Sequence, residues 1–392
     1  MISPETKTPF VAIACGGTGG HLFPGLAVAE ELKKCGCKIG LLISTKDIDQ
    51  QAVKSACDME IFTLPAVGLQ NRNYFSFAKS FWNSFCTARK IFESNPPQAV
   101  LAMGGFTSAP PILAAGKFGA KAFLHESNTI PGRANRFLAR FVDEAFVGFP
   151  EAAARLRTKK VSITGTPVRP QFRQRDAAEC RIALGIDPNL PTILVVGGSQ
   201  GASGLNEMIL SALPLLAGKN WQWLHLTGAN DFEKVKNFYA AKNVKAVVKP
   251  FLAEMDLALG AATVAVSRAG ASSLAEIAVM QLPSLLVPFP AAADNHQFFN
   301  TIAFEKNGAA KLLQQKSATP EKVAAILSEL VENETMRSQM QAALAQWHAP
   351  RAAEQIAENI LSAIAQQQKK AGQSKARNCA CDHAHGRAKH AH

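Results

Sequence analysis

One design occurs twice in this chain and limits how it can fold: an apolar strand, a glycine-rich loop and then a helix. The first copy is FVAIACGGTGG at 10–20, followed by a helical pattern that ends at Gly36. The second copy is PTILVVGGSQGASGLNEMILSALPLL at 191–216. Strands that are apolar throughout and alternate with helices are typical of parallel sheets covered on both faces. We therefore predict an α/β protein in which two Rossmann-like parallel-sheet domains face each other across a cleft.

The remaining strands and the chain length set the predicted domain organisation. A chain of 392 residues is long for one hydrophobic core. Further apolar strands are predicted at 38–43, 99–103, 121–124, 145–148, 223–227, 246–248, 263–266 and 284–287. The predicted parts are an N-terminal domain at 1–165, a C-terminal domain at 166–350, a helix at 351–366 and a disordered basic tail at 367–392, with a linker at 161–170.

Composition and charge exclude several classes of protein and favour anionic partners. Hydrophobic residues make up 47% and charged residues 18% of the chain, which excludes general disorder. The N-terminal sequence shows no basic stretch followed by a long apolar core, and uncharged runs such as 98–116 are broken by GG and PP. We therefore expect no secretory signal, no membrane span and a cytoplasmic location. The net charge of +12 favours nucleic acid, an acidic membrane or a nucleoside diphosphate.

The eight cysteines show no C-x-x-C spacing, and we interpret them as thiols of a reducing compartment. Cys379 and Cys381 lie near several histidines at the C-terminus, a combination that can hold a soft metal. The same segment is rich in Gln, Lys and Ala, so a disordered basic tail is the favoured interpretation.

The two glycine loops are candidate anion-binding sites. Glycine lets backbone N–H groups approach an anion closely, and a helix N-terminus behind the loop adds a partial positive charge. The dinucleotide fingerprint G-x-G-x-x-G would require glycine where the chain has Leu22, and no Walker A motif is present. Glycines that only tighten a turn are the alternative for each loop.

Chemically active side chains follow predicted strands at the same sheet edges. His21 begins the helix after the first loop and is either a general base or a cap. Glu126 and Asn128 follow another strand and are either functional or ordinary turn residues. In the second half, Arg268 can meet a phosphate and Glu276 can accept both hydroxyls of a ribose, the alternative being surface charges.

Residues 71–93 carry aromatic side chains at near-helical spacing, with cations between them. The pattern is typical of an interfacial helix on anionic lipid, although from the residues alone such a stripe is more often part of a core. Two arginines on RANRFLARF extend the basic patch. The candidate docking residues are Phe77, Phe81, Trp82, Phe85, Arg89, Arg136 and Arg140.

Six segments together resemble one known family. In chain order they are GGTGGHLFPGLAVAEEL, MGGFTSAP, LHESNTIPGRANR, GTPVR, GGSQGASGLNE and SRAGASSLAEIA with LPSLLVPFPAAADNHQFFN, and the resemblance as a whole covers residues 8–365. The chain is similar to the MurG family of peptidoglycan N-acetylglucosaminyltransferases, of glycosyltransferase family 28. The resemblance implies a two-domain GT-B fold, no metal or other cofactor, and inverting transfer of N-acetylglucosamine. The donor would be UDP-N-acetylglucosamine and the acceptor the 4-hydroxyl of the muramoyl sugar of lipid I, giving lipid II.

The resemblance also implies partners and a location. The expected partners are UDP-N-acetylglucosamine, lipid I and the anionic cytoplasmic face of the bacterial inner membrane, on which the N-terminal domain would dock peripherally. For part of the aromatic stripe this reverses the core interpretation. Other cell-wall synthesis or division proteins are further candidates, and no nucleic acid is expected.

Carried over motif by motif, the resemblance implies roles for single residues. The first loop would lie by the sugar and diphosphate, Ser199 would meet the α-phosphate, and Leu252 would pack by the uracil. Asp294 and Gln297 would hold the sugar hydroxyls. The implied donor-binding residues are Thr18, Gly19, Gly20, Asn128, Arg169, Ser199, Leu252, Arg268, Ala271, Ser272, Ser273, Leu274, Ala275, Glu276, Asp294 and Gln297.

The implied reaction needs a base and a site that stabilises the leaving diphosphate. His21 is predicted to be the base, with Glu126 second, and loop N–H groups, a helix dipole and Arg268 are expected to stabilise the leaving group. The string DID at 47–49 is predicted to be an ordinary surface turn. Phe106 stands where relatives often have tyrosine, and Ser127 where Gln is common.

Other functions share parts of this pattern. A UDP-N-acetylglucosamine 2-epimerase of the same fold would use the same donor without needing the aromatic stripe. A non-catalytic nucleotide-sugar-binding module would bind the donor without turnover. An NAD-dependent oxidoreductase would need a dinucleotide fingerprint, which neither loop has.

Overall fold

The computed structural model describes residues 8–46, 49–50, 53, 58–66, 74–198, 201–216 and 218–387, with backbone only at 74, 372 and 374–387. Two parallel sheets of seven and six strands, one in each half of the chain, carry the fold. The strands are β1 Phe10–Ala14, β2 Lys38–Ser44, β3 Glu60–Leu64, β4 Ala99–Ala102, β5 Lys121–Glu126, β6 Glu144–Val147, β7 Val161–Ile163, β8 Thr192–Val196, β9 Gln222–Leu226, β10 Ala246–Lys249, β11 Val264–Ser267, β12 Ser284–Leu286 and β13 Lys311–Leu312.

Helices follow most of the strands, as crossovers between parallel strands require. They are α1 Gly19–Lys34, α2 Tyr74–Ser94, α3 Ala109–Ala115, α4 Arg133–Leu138, α5 Pro150–Ala153, α6 Ala177–Ala183, α7 Ser203–Ala212, α8 Phe232–Ala241, α9 Met255–Ala261, α10 Ala271–Met280, α11 His296–Lys306, α12 Pro320–Glu332, α13 Glu334–Trp347 and α14 Ala352–Arg387. Short 3-10 turns lie at Gly116–Phe118, Leu213–Leu216, Ala293–Asn295 and Gln315–Ser317.

Both sheets reverse their strand order at the strand that precedes a glycine loop. The first sheet has the order β3-β2-β1-β4-β5-β6-β7 and the second β10-β9-β8-β11-β12-β13. In the first, Val11 of β1 lies between Ile39 of β2 and Ala99 of β4. Because crossovers leave in opposite directions from β1 and β8, a crevice opens at the carboxyl end of each. The predicted pair of Rossmann-like sheets is confirmed.

Helices cover both faces of each sheet, which explains the continuously apolar strands. Every residue of β1 is buried, and so is every residue of β4, β9 and β11. In the first sheet α1 and α14 cover one face, while α2, α3 and α4 cover the other. Burial on two faces makes unpaired polar side chains costly within a strand, so those that occur there, such as His125 and His225, are hydrogen-bonded and most of the remaining polar chemistry collects at strand ends.

The C-terminal helix returns to the first domain and is longer than expected. Ile356 and Ile360 of α14 are buried in the core that α1 shares with the first sheet. The predicted helix ends at residue 366, whereas α14 continues to Arg387. The tail was predicted to be disordered from residue 367, but it is helical up to Arg387, consistent with its many good helix formers. The side chains of Cys379 and Cys381 lie outside the described residues.

The connection between the sheets also differs from the predicted linker. Val161–Ile163 forms β7 and pairs with β6 at the edge of the first sheet. The segment between the sheets therefore begins only after Ile163. The domain boundary drawn between residues 165 and 166 stays a prediction.

The return of α14 predicts that the first domain depends on it for stability. Replacing Ile360 by Ala removes a fully buried side chain from this core and should lower the free energy of unfolding by about 2–5 kcal/mol. Chemical denaturation followed by circular dichroism measures the change. Ser362→Ala, an exposed position on the same helix, should change stability by less than about 0.5 kcal/mol. Equal effects of the two substitutions would contradict the packing described.

Candidate functional site at the facing sheet edges

The first glycine loop is held in place by a buried carboxylate. Asp49 is fully buried, and its Oδ2 atom accepts hydrogen bonds from the backbone N–H of Gly17 at 2.6 Å and of Ser44 at 3.1 Å. The φ of Gly17 is +112°, in the region that favours glycine. Lys46 donates to the Gly17 carbonyl at 2.8 Å. The prediction that DID is a surface turn is therefore wrong for Asp49, while Asp47 lies outside the described residues.

The Asp49 contact decides which N–H groups of the loop remain for a ligand. The Gly17 N–H points to the carboxylate, and the N–H groups of His21 and Leu22 donate to the Thr18 carbonyl. Thr18 is the extended N-cap residue of α1, and the first N–H groups of a helix have no partner within it. Thr18 and Gly20 are exposed. The free N–H groups are thus those of the predicted residues Thr18, Gly19 and Gly20.

The imidazole of His21 lies against a pair of glycines that follow β4. A Cβ atom at Gly104 would lie 2.9 Å from Cε1 of His21, and one at Gly105 would lie 3.0 Å from its Cδ2. Both glycines have positive φ, at +108° and +77°. The ring therefore requires two residues without side chains beneath it.

The environment of His21 suits a neutral imidazole. Its Nδ1 atom is buried without a hydrogen-bond partner. Burial lowers the pKa of His21 below 6.5, while the charges of Glu126 and Asp49 act in the opposite direction. A neutral ring at physiological pH can accept a proton.

The carboxylate of Glu126 is fully engaged by the loop that follows β5. Its Oε1 atom accepts from the backbone and side-chain nitrogens of Asn128 at 2.9 and 3.1 Å. Its Oε2 atom accepts from the Gly132 N–H and the Asn135 amide, both at 2.9 Å. Four donors occupy the four lone-pair positions of a carboxylate. This geometry favours a positioning role for Glu126 over that of a base.

In the second domain a half-buried acid, Glu276, lies in the first turns of α10. Glu276 is on the helix that begins after Gly270, and α10 contacts α1 across the cleft. Burial raises the pKa of the Glu276 carboxyl to about 7, and the charge of Arg169 acts in the opposite direction. Arg169 stacks over the Phe23 ring of α1, with its guanidinium carbon 4.0 Å from the ring centroid.

Arg268 is less available for a ligand than the sequence predicts. It is 7% exposed, and its guanidinium donates to the carbonyls of Val287 and Pro288 and, at 2.7 Å, to Gln315. These contacts tie β11 to the segments after β12 and β13. The expectation that Arg268 itself stabilises a leaving diphosphate is not supported by this geometry.

The remaining predicted donor residues cluster around α10 and α11. Ala271 to Ala275 form the first turn of α10. Leu252 is buried within the core beneath α10, with 6% exposure. Gln297 accepts from the N–H groups of Ala269 and Phe289. Ser199 lies outside the described residues.

An ion pair crosses the cleft between the domains. Arg136 of α4 donates to Asp294 at 2.6 Å, and Arg133 lies 3.7 Å from the same carboxylate. Arg136 was predicted to dock on a membrane, but its guanidinium is engaged at the cleft rim. Asp294 has a φ of +49°, so the backbone bends sharply where it reaches toward α4.

The aromatic stripe of α2 divides into a buried and an exposed part. Phe92 is fully buried and Phe85 packs partly against the same core. Trp82 is 62% exposed and Phe75 83% exposed. Phe77 and Phe81 are half-buried and lie side by side, with centroids 6.4 Å apart.

The arginines of the predicted docking surface differ in whether another side chain of the protein pairs with them. Arg89 pairs with Glu93 one turn along the helix, at 2.7 Å. Arg140 is exposed and lies beside Phe137 and Phe141, which are 47% and 50% exposed.

Family models match most of the chain. The N-terminal domain of glycosyltransferase family 28 matches residues 11–147, and the C-terminal domain of the same family matches residues 192–356.

Individual relatives extend this result. The UDP-N-acetylglucosamine--N-acetylmuramyl-(pentapeptide) pyrophosphoryl-undecaprenol N-acetylglucosamine transferase of Anaeromyxobacter sp. strain Fw109-5 is 35% identical over 353 residues, 88% of this chain and 91% of that protein. MurG from Acinetobacter baumannii superposes with a TM-score of 0.71 at 26% identity, covering 91% of this chain and 99% of that one. A UDP-N-acetylglucosamine 2-epimerase superposes with a TM-score of 0.68 at 15% identity, covering 91% and 95%, a likeness of fold alone.

The raised pKa of Glu276 predicts how uridine diphosphate binding depends on pH. If ribose hydroxyls donate to this carboxylate, binding favours its ionised form, which predominates only above about pH 7. The affinity should then be constant at higher pH and fall by up to about tenfold per pH unit below it. Isothermal titration calorimetry across pH 5–9 measures this. Glu276→Gln, which cannot ionise, should show only the slope that comes from the phosphate of the ligand; identical slopes in both proteins would contradict the assignment.

Proposed function

The chain belongs to glycosyltransferase family 28, as a hexosyltransferase that moves N-acetylglucosamine from UDP-N-acetylglucosamine to lipid I, and we propose a residue-level account of how its cleft carries out the transfer. The product is lipid II, the peptidoglycan precursor. The observation that supports this mechanism is the packing of the His21 ring against Gly104 and Gly105, next to the first glycine loop. This ring lies in the first domain, opposite the segment that would hold the donor sugar.

The donor nucleotide would lie on the second domain. The N-terminus of α10 offers backbone N–H groups to the diphosphate, and Glu276 offers acceptors for the ribose hydroxyls. Asn128 and Arg169 would reach the donor from the other side, while Asp294 and Gln297 would hold the sugar. Asp294 would then exchange its contact with Arg136 for a sugar hydroxyl.

The transfer then needs one proton movement and one charge stabilisation. His21 takes the proton from the acceptor 4-hydroxyl as that oxygen attacks the anomeric carbon. The bond between this carbon and the β-phosphate oxygen breaks on the opposite face, and UDP leaves with the electron pair. Attack from the opposite face inverts the anomeric configuration. The N–H groups of Thr18, Gly19 and Gly20 stabilise the developing charge together with the helix N-termini.

Glu126 acts as a positioning group in this mechanism. Its four hydrogen bonds hold the Asn128 loop and the start of α4, so removing a proton from a substrate would require breaking one of them. The order of the two predicted bases, His21 before Glu126, is therefore also the order that the geometry favours.

Replacing His21 by Ala tests the base. The turnover number should fall by about 10²–10⁴-fold, while binding of UDP-N-acetylglucosamine stays near normal. In the unsubstituted enzyme, kcat at saturating donor should fall only below pH 6.5, because burial lowers the pKa of His21 and the base must be unprotonated. In the variant this decrease of kcat should be absent, whereas kcat/KM should keep the decrease that comes from protonation of Glu276. Release of UDP from labelled donor, with and without a lipid I analogue, measures turnover. Near-normal turnover in His21→Ala would remove the candidate, and release without acceptor would favour an epimerase.

The membrane contact of this enzyme is proposed to be peripheral, on the cytoplasmic face of the inner membrane. Within the part of the chain that the structure describes, no helix is long and apolar enough to span a bilayer. The exposed Trp82 and Phe75 of α2 supply aromatic anchors, and Lys79 and Lys90 are exposed on the same helix. Aromatic anchors with adjacent cations suit an anionic lipid surface. The exposed Phe137, Arg140 and Phe141 would extend this surface.

The double substitution Phe75→Ser with Trp82→Ser tests this surface. Binding to vesicles that contain anionic lipid should weaken by about a hundredfold, since each buried aromatic contributes roughly 1.5 kcal/mol and the two together about 3 kcal/mol. Turnover of a short-chain soluble acceptor should stay nearly intact. Vesicle co-sedimentation measures the binding, with Phe251→Ser as a control, because Phe251 is 63% exposed on the second domain. Unchanged vesicle binding in the double variant would contradict the proposal.

A further inference from the structure

A fully buried asparagine links the two domains at the bottom of the cleft. Asn300 lies on α11 of the second domain and has no exposed surface. Its Oδ1 atom accepts from the backbone N–H and the hydroxyl of Thr129, at 2.9 and 3.0 Å. Thr129 belongs to the loop after β5 of the first domain.

The other end of the same amide holds Asn128. The Nδ2 atom of Asn300 donates to Oδ1 of Asn128 at 3.0 Å and to the carbonyl of Ala269 at 3.2 Å. All four hydrogen-bonding positions of the amide are therefore satisfied. The Thr129 N–H fixes the orientation, since a reversed amide would place two donors against each other.

Asn128 is in turn fixed from both sides. Its oxygen accepts from Asn300, and its nitrogen donates to Glu126 at 3.1 Å. One N–H and one lone pair of this half-buried amide have no partner among the described residues and can therefore meet a ligand. The chain of contacts runs from Glu126 through Asn128 and Asn300 to Ala269, just before α10.

We propose that Asn300 is a positioning residue that orients the Asn128 amide for the donor sugar when the two domains are together. The inference rests on the proposed function, in which Asn128 contacts the donor. Asn300 lies on α11, which begins just after Asp294 and contains Gln297. The segment that would hold the sugar from the second domain therefore also orients the Asn128 amide of the first domain. UDP has no N-acetylglucosamine to contact the Asn128 amide, so its binding should not depend on Asn300.

This difference between UDP and UDP-N-acetylglucosamine supplies the test. In Asn300→Ala, calorimetry should show UDP-N-acetylglucosamine binding weakened by about tenfold and UDP binding unchanged. If Asn300 acts through Asn128, the double variant Asn128→Ala with Asn300→Ala should bind no more weakly than Asn128→Ala alone. Asn307→Ala, at the exposed C-terminal end of the same helix, is the matched control and should bind both ligands normally.

A second variant keeps the test decisive if Asn300→Ala folds poorly. Asn300→Ser leaves a small uncharged polar side chain that is too short to replace the amide contact with Asn128, so it should show the same selective loss. Normal sugar-nucleotide binding in a folded Asn300 variant, equal weakening of both ligands, or additive effects in the double variant would overturn the inference. Failure of the unsubstituted protein to bind UDP-N-acetylglucosamine more tightly than UDP would instead count against the proposed donor contacts.

Discussion

Burial of both sheets on both faces is the constraint on which the rest of this structure depends. Strands such as β1 and β11 have no exposed residue, so they cannot carry polar chemistry along their length. Parallel strands end at the same edge, and the strand order reverses at β1 and β8. Loops after these strands therefore converge on one crevice in each domain, and the facing crevices bring the chemistry of two domains together.

Within the crevice, buried polar groups give the loops definite shapes. Glu126, Asn300 and Asp49 are each almost entirely withdrawn from water, and each accepts hydrogen bonds from backbone N–H groups. A buried polar group is costly when unpaired, so each of these side chains admits few alternative loop conformations. The glycine loop, the Asn128 loop and the cleft contact are thus held by side chains that need not touch a substrate.

Much of this could be predicted from the sequence, because the responsible patterns are local. Apolar runs indicate the strands, and the small residues after β1, β8 and β11 mark the helix entrances. The roles of Asp49 and Asn300 could not be predicted, since each depends on a partner far along the chain. The signal for Asp49 was its position just after β2, at the same edge as Gly17. Arg268 shows the converse: an arginine at a sheet edge suggested a free cation, but carbonyls distant in sequence engage it.

The path of α14 has a consequence for the order in which the domains can be completed during synthesis. Ile356, Ile360 and Ile364 belong to the core beside β1, although they lie near the end of the chain. The second sheet is finished at Leu312, and its covering helices at Trp347. The domain that comes second in sequence can therefore complete its core while the first still lacks part of its own. In this sense the second domain is an insertion within the first, and it emerges from the ribosome before the core of the first domain is complete.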